Sequence, residues 1–148
     1  RRMGTDWILT PHPGEMARLT GQSIGQIQGN RTACATQFAR RYPSVTLVLK
    51  GAGTLVAQGS RLAQNPTGNP GMSRGGSGDV LAGMIAALAA QGLSPWEAAC
   101  AGVYLHGMAG DAAAAQFSEQ AMLPRDLLAC LPEVFLRLER FRDQHGTG

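Results

Sequence analysis

The segment Gly75-Gly-Ser-Gly-Asp79 places three glycines and a serine directly before a carboxylate. Glycine lets the backbone turn sharply and approach a ligand without a Cβ in the way. The segment is predicted to open a helix, and the unpaired N–H groups and positive dipole end of a helix N-terminus favour an anion. A phosphoryl group passing from donor to acceptor is such an anion. Asp79 could take a proton from a hydroxyl nucleophile, or position it. The loop is not a P-loop, because no Gly-Lys-Ser/Thr follows. It is not a dinucleotide-binding fingerprint, because Leu81 stands where the third glycine belongs. A tight turn with Asp79 capping its helix is the alternative reading of these five residues.

Three further segments could carry chemistry. Lys50-Gly-Ala-Gly-Thr54 follows the clearest predicted strand. Ligands of open α/β sheets bind at that carboxyl edge. Lys50 could neutralise phosphate as a point charge; a strand-to-strand turn with a surface lysine is the plainer reading. In Thr10-Pro-His-Pro-Gly-Glu15, two prolines hold the backbone around His12, which is read as a pocket wall. His12 and Glu15 supply two possible metal ligands with no third, so no metal site is assigned. In Tyr104-Leu-His-Gly-Met-Ala-Gly-Asp111 the small residues suit close helix packing. His106 and Asp111 are five apart and share a helix face poorly, so a structural role is favoured for both.

The elements that must position these residues alternate between strand and helix. Trp7–Thr10 reads as a short strand, broken by Pro11 and Pro13. Pro13 suits the first turn of a helix that stops at Gly21. A second helix is predicted from Ser23 as N-cap to about Arg41, with Gly29 and Asn30 interrupting its periodicity. Val45–Leu49 is a continuous β-branched and leucine run, as expected for a strand covered on both faces. Residues 54–57 and 61–63 flank Gln58-Gly-Ser60 as a hairpin. A helix is expected from about Ser77 to Gln91, with Gly92 as its C-cap. Another opens at Ser94-Pro95 and runs through Ala109. Pro124-Arg-Asp126 starts the last helical stretch, Pro132 is expected to split it, and residues 142–148 are expected to fray. Strands followed by helices describe an α/β domain.

Composition narrows the class. The chain has 148 residues, enough for one domain. Apolar content is 44% and charged content 16%, a globular balance. Net charge is +3, from twelve scattered arginines and the single lysine Lys50 set against ten acidic residues. No basic run, zinc pattern or aromatic-rich motif points to nucleic acid. No apolar run is long enough to cross a membrane. Cys34, Cys100 and Cys130 are odd in number and far apart, which argues against a disulfide framework and for a cytoplasmic setting.

Taken in chain order, the four segments resemble the NAD(P)H-hydrate dehydratases, the YjeF C-terminal domain type of the ribokinase-like superfamily. The most specific part is Asn65-Pro-Thr-Gly-Asn-Pro-Gly-Met-Ser-Arg-Gly-Gly-Ser-Gly-Asp79, continued by Val80-Leu-Ala-Gly83. The resemblance covers roughly residues 7–131. It implies a three-layer α/β/α fold with a mostly parallel sheet. It implies ADP- or ATP-dependent dehydration of the S epimer of hydrated NADH or NADPH, with Mg2+ accompanying the nucleotide. Carried over by position, Asp79 is the catalytic residue and lies at the substrate hydroxyl. Lys50, Gly51, Ala52, Gly53, Thr54 and Gly78 line the nucleotide site. Gly75, Gly76, Ser77 and Gly78 form an anion hole, and His12 faces the hydrated nicotinamide. Ser73-Arg74 stand where the family usually has Ala-Thr, and Ser77 where methionine is common.

Family members carry a long further stretch before the histidine segment. Residues 1–148 are therefore expected to be the C-terminal part of one ribokinase-like domain, its sheet incomplete on the N-terminal side. An exposed sheet edge invites association, so a homo-oligomer is expected, as is fusion to or cooperation with an NAD(P)H-hydrate epimerase. Two other functions fit part of the pattern. One is a vitamin-precursor kinase of the same superfamily, against which the Thr-Pro-His-Pro-Gly-Glu and Asn-Pro-Gly-Met segments argue. The other is a non-catalytic nucleotide-binding fragment.

Overall fold

A computed structural model describes residues 6–145. Its elements are β1 (Trp7–Leu9), α1 (Pro13–Thr20), α2 (Ile24–Gly29), α3 (Arg31–Arg41), β2 (Val45–Leu49), β3 (Leu55–Gln58), β4 (Arg61–Gln64), α4 (Ser77–Ala90), α5 (Pro95–Ala121) and α6 (Pro124–His145), with a single 3-10 turn at Pro70–Met72. The four strands form one sheet in the order β1-β2-β3-β4.

The side-chain alternation of the strands fills two cores. Leu47 and Leu49 of β2, with Leu55 and Ala57 of β3, pack against Ile27, Ala35 and Phe38 on one face. Val48 and Val56 point to the other face, against Leu81 and Ile85 of α4 and Ala98 and Val103 of α5. Helices therefore cover both faces, which gives the expected α/β/α layering. A third cluster joins Leu105, Ala109 and Ala113 of α5 to Leu127, Cys130 and Val134 of α6.

The sheet itself departs from the expectation. Only β1 pairs with β2 in parallel. The pairs β2–β3 and β3–β4 are antiparallel. The Gln58–Arg61 hairpin reverses the chain within four residues, and a connection that short can only join antiparallel strands. The four strands thus make a mixed sheet, not a mostly parallel one.

Two helix boundaries also differ. The predicted helix over 23–41 is two helices, because Asn30 leaves helical geometry (φ −152°) and its side chain accepts the Ala33 N–H to cap α3. Pro132 does not split α6. The proline removes one N–H bond, but Leu127, Cys130 and Val134 are buried on either side of it and hold the helix against α5. The expected fraying of residues 142–148 is not found over Arg142–His145, which remain helical, and the rest of that stretch lies outside the described residues. α5 runs past Ala109 to Ala121, with a break at Ser118 (φ 67°, ψ 157°).

Close contact between α5 and the loop 65–72 places the site. A Cβ on Gly107 would lie 2.0 Å from Thr67 Oγ1 and 2.7 Å from the Thr67 carbonyl carbon. Only glycine lets the helix approach so closely.

Candidate active site

A cavity of about 590 Å3 opens at the carboxyl ends of β1 and β2. That size suits a small-molecule ligand. Its walls come from three parts of the chain: His12 after β1, Lys50–Thr54 after β2, and Ser77 and Gly78 at the start of α4. The sequence separates these segments by dozens of residues, and the fold brings them to one place.

His12 does two things. Its Nδ1 accepts the N–H groups of Gly14 (3.0 Å) and Glu15 (3.2 Å), capping α1. Glu15 returns the bond by accepting the His12 N–H at 2.8 Å, which completes a capping box. That N–H bond, together with the nearby Lys50 charge, holds the Glu15 carboxyl below its ordinary range. Lys50 Nζ sits 3.9 Å from Glu15 Oε2. The lysine is thus steered from one side by a carboxylate and faces α4 on the other. A Cβ on Gly78 would meet Lys50 Nζ at 2.9 Å.

The loop from Asn65 to Ser77 is pinned from α5. Asp111 accepts the Gly68 N–H and the Asn69 side-chain N–H, both at 3.0 Å. Thr67 donates to the Tyr104 carbonyl at 2.9 Å, and Asn65 donates to the Val103 carbonyl at 3.3 Å. His106 Nε2 lies 3.0 Å from the Ser77 carbonyl. A carbonyl only accepts, so Nε2 carries the hydrogen. His106 is 8% exposed, and burial pushes its pKa down, opposed by the bond to Ser77 and aided by the Lys50 charge. Arg74 donates to the Gln120 carbonyl just beyond the α5 break.

The predicted site residues divide. His12, Lys50, Gly51, Ala52, Gly53, Thr54, Ser77 and Gly78 line the cavity together. Gly75, Gly76 and Asp79 are not among its lining residues. Asp79 is exposed on the first turn of α4, and it makes no side-chain cap bond there. Asn65, Thr67 and Arg74 line the cavity without having been assigned a site role from sequence, and so does His106, which was read as structural. The Asn65–Asp79 motif contained three of them, but spacing alone could not separate lining from bracing. His106 and Asp111 make structural contacts, yet what they hold is the loop that borders the cavity. No group of three or more His, Cys, Asp or Glu that could hold a metal occurs among the described residues.

A glycine-rich loop at a helix N-terminus, facing a lysine at a strand end of a three-layer α/β fold, defines a protein of the ribokinase-like class. A family model described as NAD(P)H-hydrate dehydratase matches residues 2–133, and the chain belongs to that family. It is 54% identical over 133 residues to the bifunctional NAD(P)H-hydrate repair enzyme Nnr of Moorella thermoacetica, covering 89% of this chain and 25% of that protein. It is 46% identical to the ADP-dependent (S)-NAD(P)H-hydrate dehydratase of Neisseria meningitidis, covering 82% of this chain and 40% of that one. Among solved structures it is similar to the Bacillus subtilis ADP/ATP-dependent NAD(P)H-hydrate dehydratase co-crystallised with ATP/Mg2+. There the identity is 37% and the TM-score 0.83, over 88% of this chain and 47% of that one. The chain thus spans about a quarter of the bifunctional relative and about half of the solved one. No described helix is long and apolar enough to cross a membrane.

Proposed function

We propose that this chain carries the phosphoryl-handling part of an ADP- or ATP-dependent (S)-NAD(P)H-hydrate dehydratase, a hydro-lyase that restores NADH or NADPH. The observation that carries this reading is the single cavity joining Lys50–Thr54 to the N-terminus of α4, with the Lys50 ammonium against Gly78. In it the 148 residues are the C-terminal part of one ribokinase-like domain. An attached or cooperating epimerase is supported by the bifunctional relatives. A cytoplasmic setting is supported by the three free cysteines.

The chemistry follows from the leaving group. Hydroxide leaves poorly. Transfer of a phosphoryl group to the C6 hydroxyl turns it into phosphate, which the ring-nitrogen lone pair expels, and loss of the C5 proton from the resulting iminium restores the ring double bond. The nucleotide ends as AMP from ADP, or ADP from ATP. Lys50 neutralises charge on the phosphates, and the amides of Gly75 to Gly78 hold the transferring group. Asp79 takes the hydroxyl proton. His12 lines the side that meets the hydrated nicotinamide.

Magnesium, when it accompanies the nucleotide, would be held by phosphate oxygens and water, because among the described residues the cavity lining carries no carboxylate. When bound, the cation neutralises phosphate charge.

The test is to incubate the full-length protein with ADP or ATP and hydrated NADH. Regain of the reduced-nicotinamide absorbance is expected. Nucleotide binding without that regain, in the full-length protein, would replace this reading with a non-catalytic nucleotide-binding one.

A further inference from the structure

The stretch after β2 has an unusual division of its polar groups. Four of its acceptors, the carbonyls of Leu49, Gly51, Ala52 and Thr54, are occupied. Arg31, the first residue of α3, donates from Nη2 to the Leu49 carbonyl at 2.9 Å and from Nη1 to the Ala52 carbonyl. The Thr54 hydroxyl donates to the Gly51 carbonyl at 3.1 Å. Asn65 N–H donates to the Thr54 carbonyl at 2.8 Å. Its donors are largely open: among the described residues, the N–H groups of Gly51, Ala52 and Gly53 donate no backbone hydrogen bond, and these three residues line the cavity together with Thr54.

We propose that Arg31 is a positioning residue for the nucleotide site. Its forked guanidinium ties the carbonyls of Leu49 and Ala52 to the protein. What the stretch then has left for a ligand is mainly a run of N–H donors beside Lys50. Consecutive free amides form a concavity that selects acceptor-rich anions such as nucleoside phosphates. A fork is needed because two carbonyls three residues apart must be held at once, which an ammonium cannot do in the same way.

The placement of Arg31 carries a cost that packing alone does not explain. Its Nε is buried with no partner, and burial pushes its pKa down. The guanidinium also lies where a Cβ on Gly51 would meet it at 2.9 Å. The helix that presents it starts from the Asn30 cap, so its position is anchored on both sides.

This inference rests on the nucleotide reading above, and the experiment separates the two. ADP is titrated calorimetrically into the full-length protein and its Arg31→Met and Arg31→Lys variants, with folding checked by circular dichroism. Arg31→Met is expected to bind ADP about tenfold or more weakly, the scale of losing hydrogen bonds to a charged group. Arg31→Lys keeps the stem and charge but not the fork, and is expected to remain at least about threefold weaker than the parent. Affinity for hydrated NADH is expected to be unchanged, whereas a general loss of folded protein would lower the active fraction without altering either Kd. Parental ADP affinity in folded Arg31→Met would overturn the inference. If that variant does not fold, parental affinity in Arg31→Lys overturns it. Failure of the parent itself to bind ADP would remove the nucleotide reading, and the role of Arg31 with it.

Discussion

Lys50 Nζ occupies the space that a side chain on Gly78 would take, with 2.9 Å between the nitrogen and that Cβ position. A strand-end cation and a helix N-terminus are thereby brought into contact across 28 residues of sequence. The two features reinforce each other for an anion, because the ammonium and the first amides of α4 act on the same volume.

Gly78→Ala tests this contact. The clash is with the far end of a flexible side chain, so the lysine can swing away. Thermal stability is expected to change by less than about 1 kcal/mol, since Ala is favoured over Gly within a helix. ADP affinity is expected to fall severalfold, because Lys50 no longer reaches the helix N-terminus. Unchanged affinity would detach Lys50 from the anion site.

Lys50→Met removes the charge and keeps the stem. ADP binding should weaken by about tenfold, and the remaining binding should depend less on ionic strength. Isothermal titration at two salt concentrations measures both.

Asp79 is exposed and makes no cap bond. Asp79→Asn in the full-length protein should therefore leave stability and ADP affinity close to those of the parent. Turnover should fall by about a hundredfold or more if the carboxylate takes a proton. Parental turnover would remove Asp79 from the chemistry.

Gly107→Ala should act through the fold. The added methyl would overlap Thr67, whose backbone cannot yield as a side-chain tip does. Destabilisation of about 1–3 kcal/mol is expected from overpacking, read from the urea midpoint. Nucleotide affinity should fall with it, because Thr67 belongs to the loop that α5 pins.

His106 gives a pH signature. Its folded pKa lies below the ordinary 6.5, mainly through burial. Below pH 6.5 the unfolded chain takes up a proton that the folded chain refuses. Stability should therefore be fully present above 6.5 and fall as the pH drops from there to the folded pKa. His106→Gln, which can still donate to the Ser77 carbonyl, should flatten that part of the curve. The measurement is urea unfolding between pH 7 and 5. Glu15, whose carboxyl is held low, loses its contribution only below 4.5, outside that range.

Much was legible from the residues alone. Strands and caps depend on neighbours a few positions away, so Pro13, Ser94 and Gly21 marked their helix ends, and Val45–Leu49 marked the central strand. The four motif segments named the family, and the Lys50, His12 and Ser77–Gly78 segments all reached one cavity. Pro132 was misread for the opposite reason: a local rule met a helix held by long-range packing.

What the tertiary structure alone decided is which groups face one another. Local chemistry does not say that Arg31 reaches the carbonyls of Leu49 and Ala52, that His106 and Asp111 hold the loop that borders the cavity, or that Asp79 lies outside the cavity lining. Those contacts span from 18 to 43 residues. They depend on the relative placement of helices and sheet, set by side-chain packing across all three cores. The sequence by itself determined the family and the parts of the site. Packing decided their arrangement, because an anion site is a matter of direction and distance, and those exist only once distant segments are folded together.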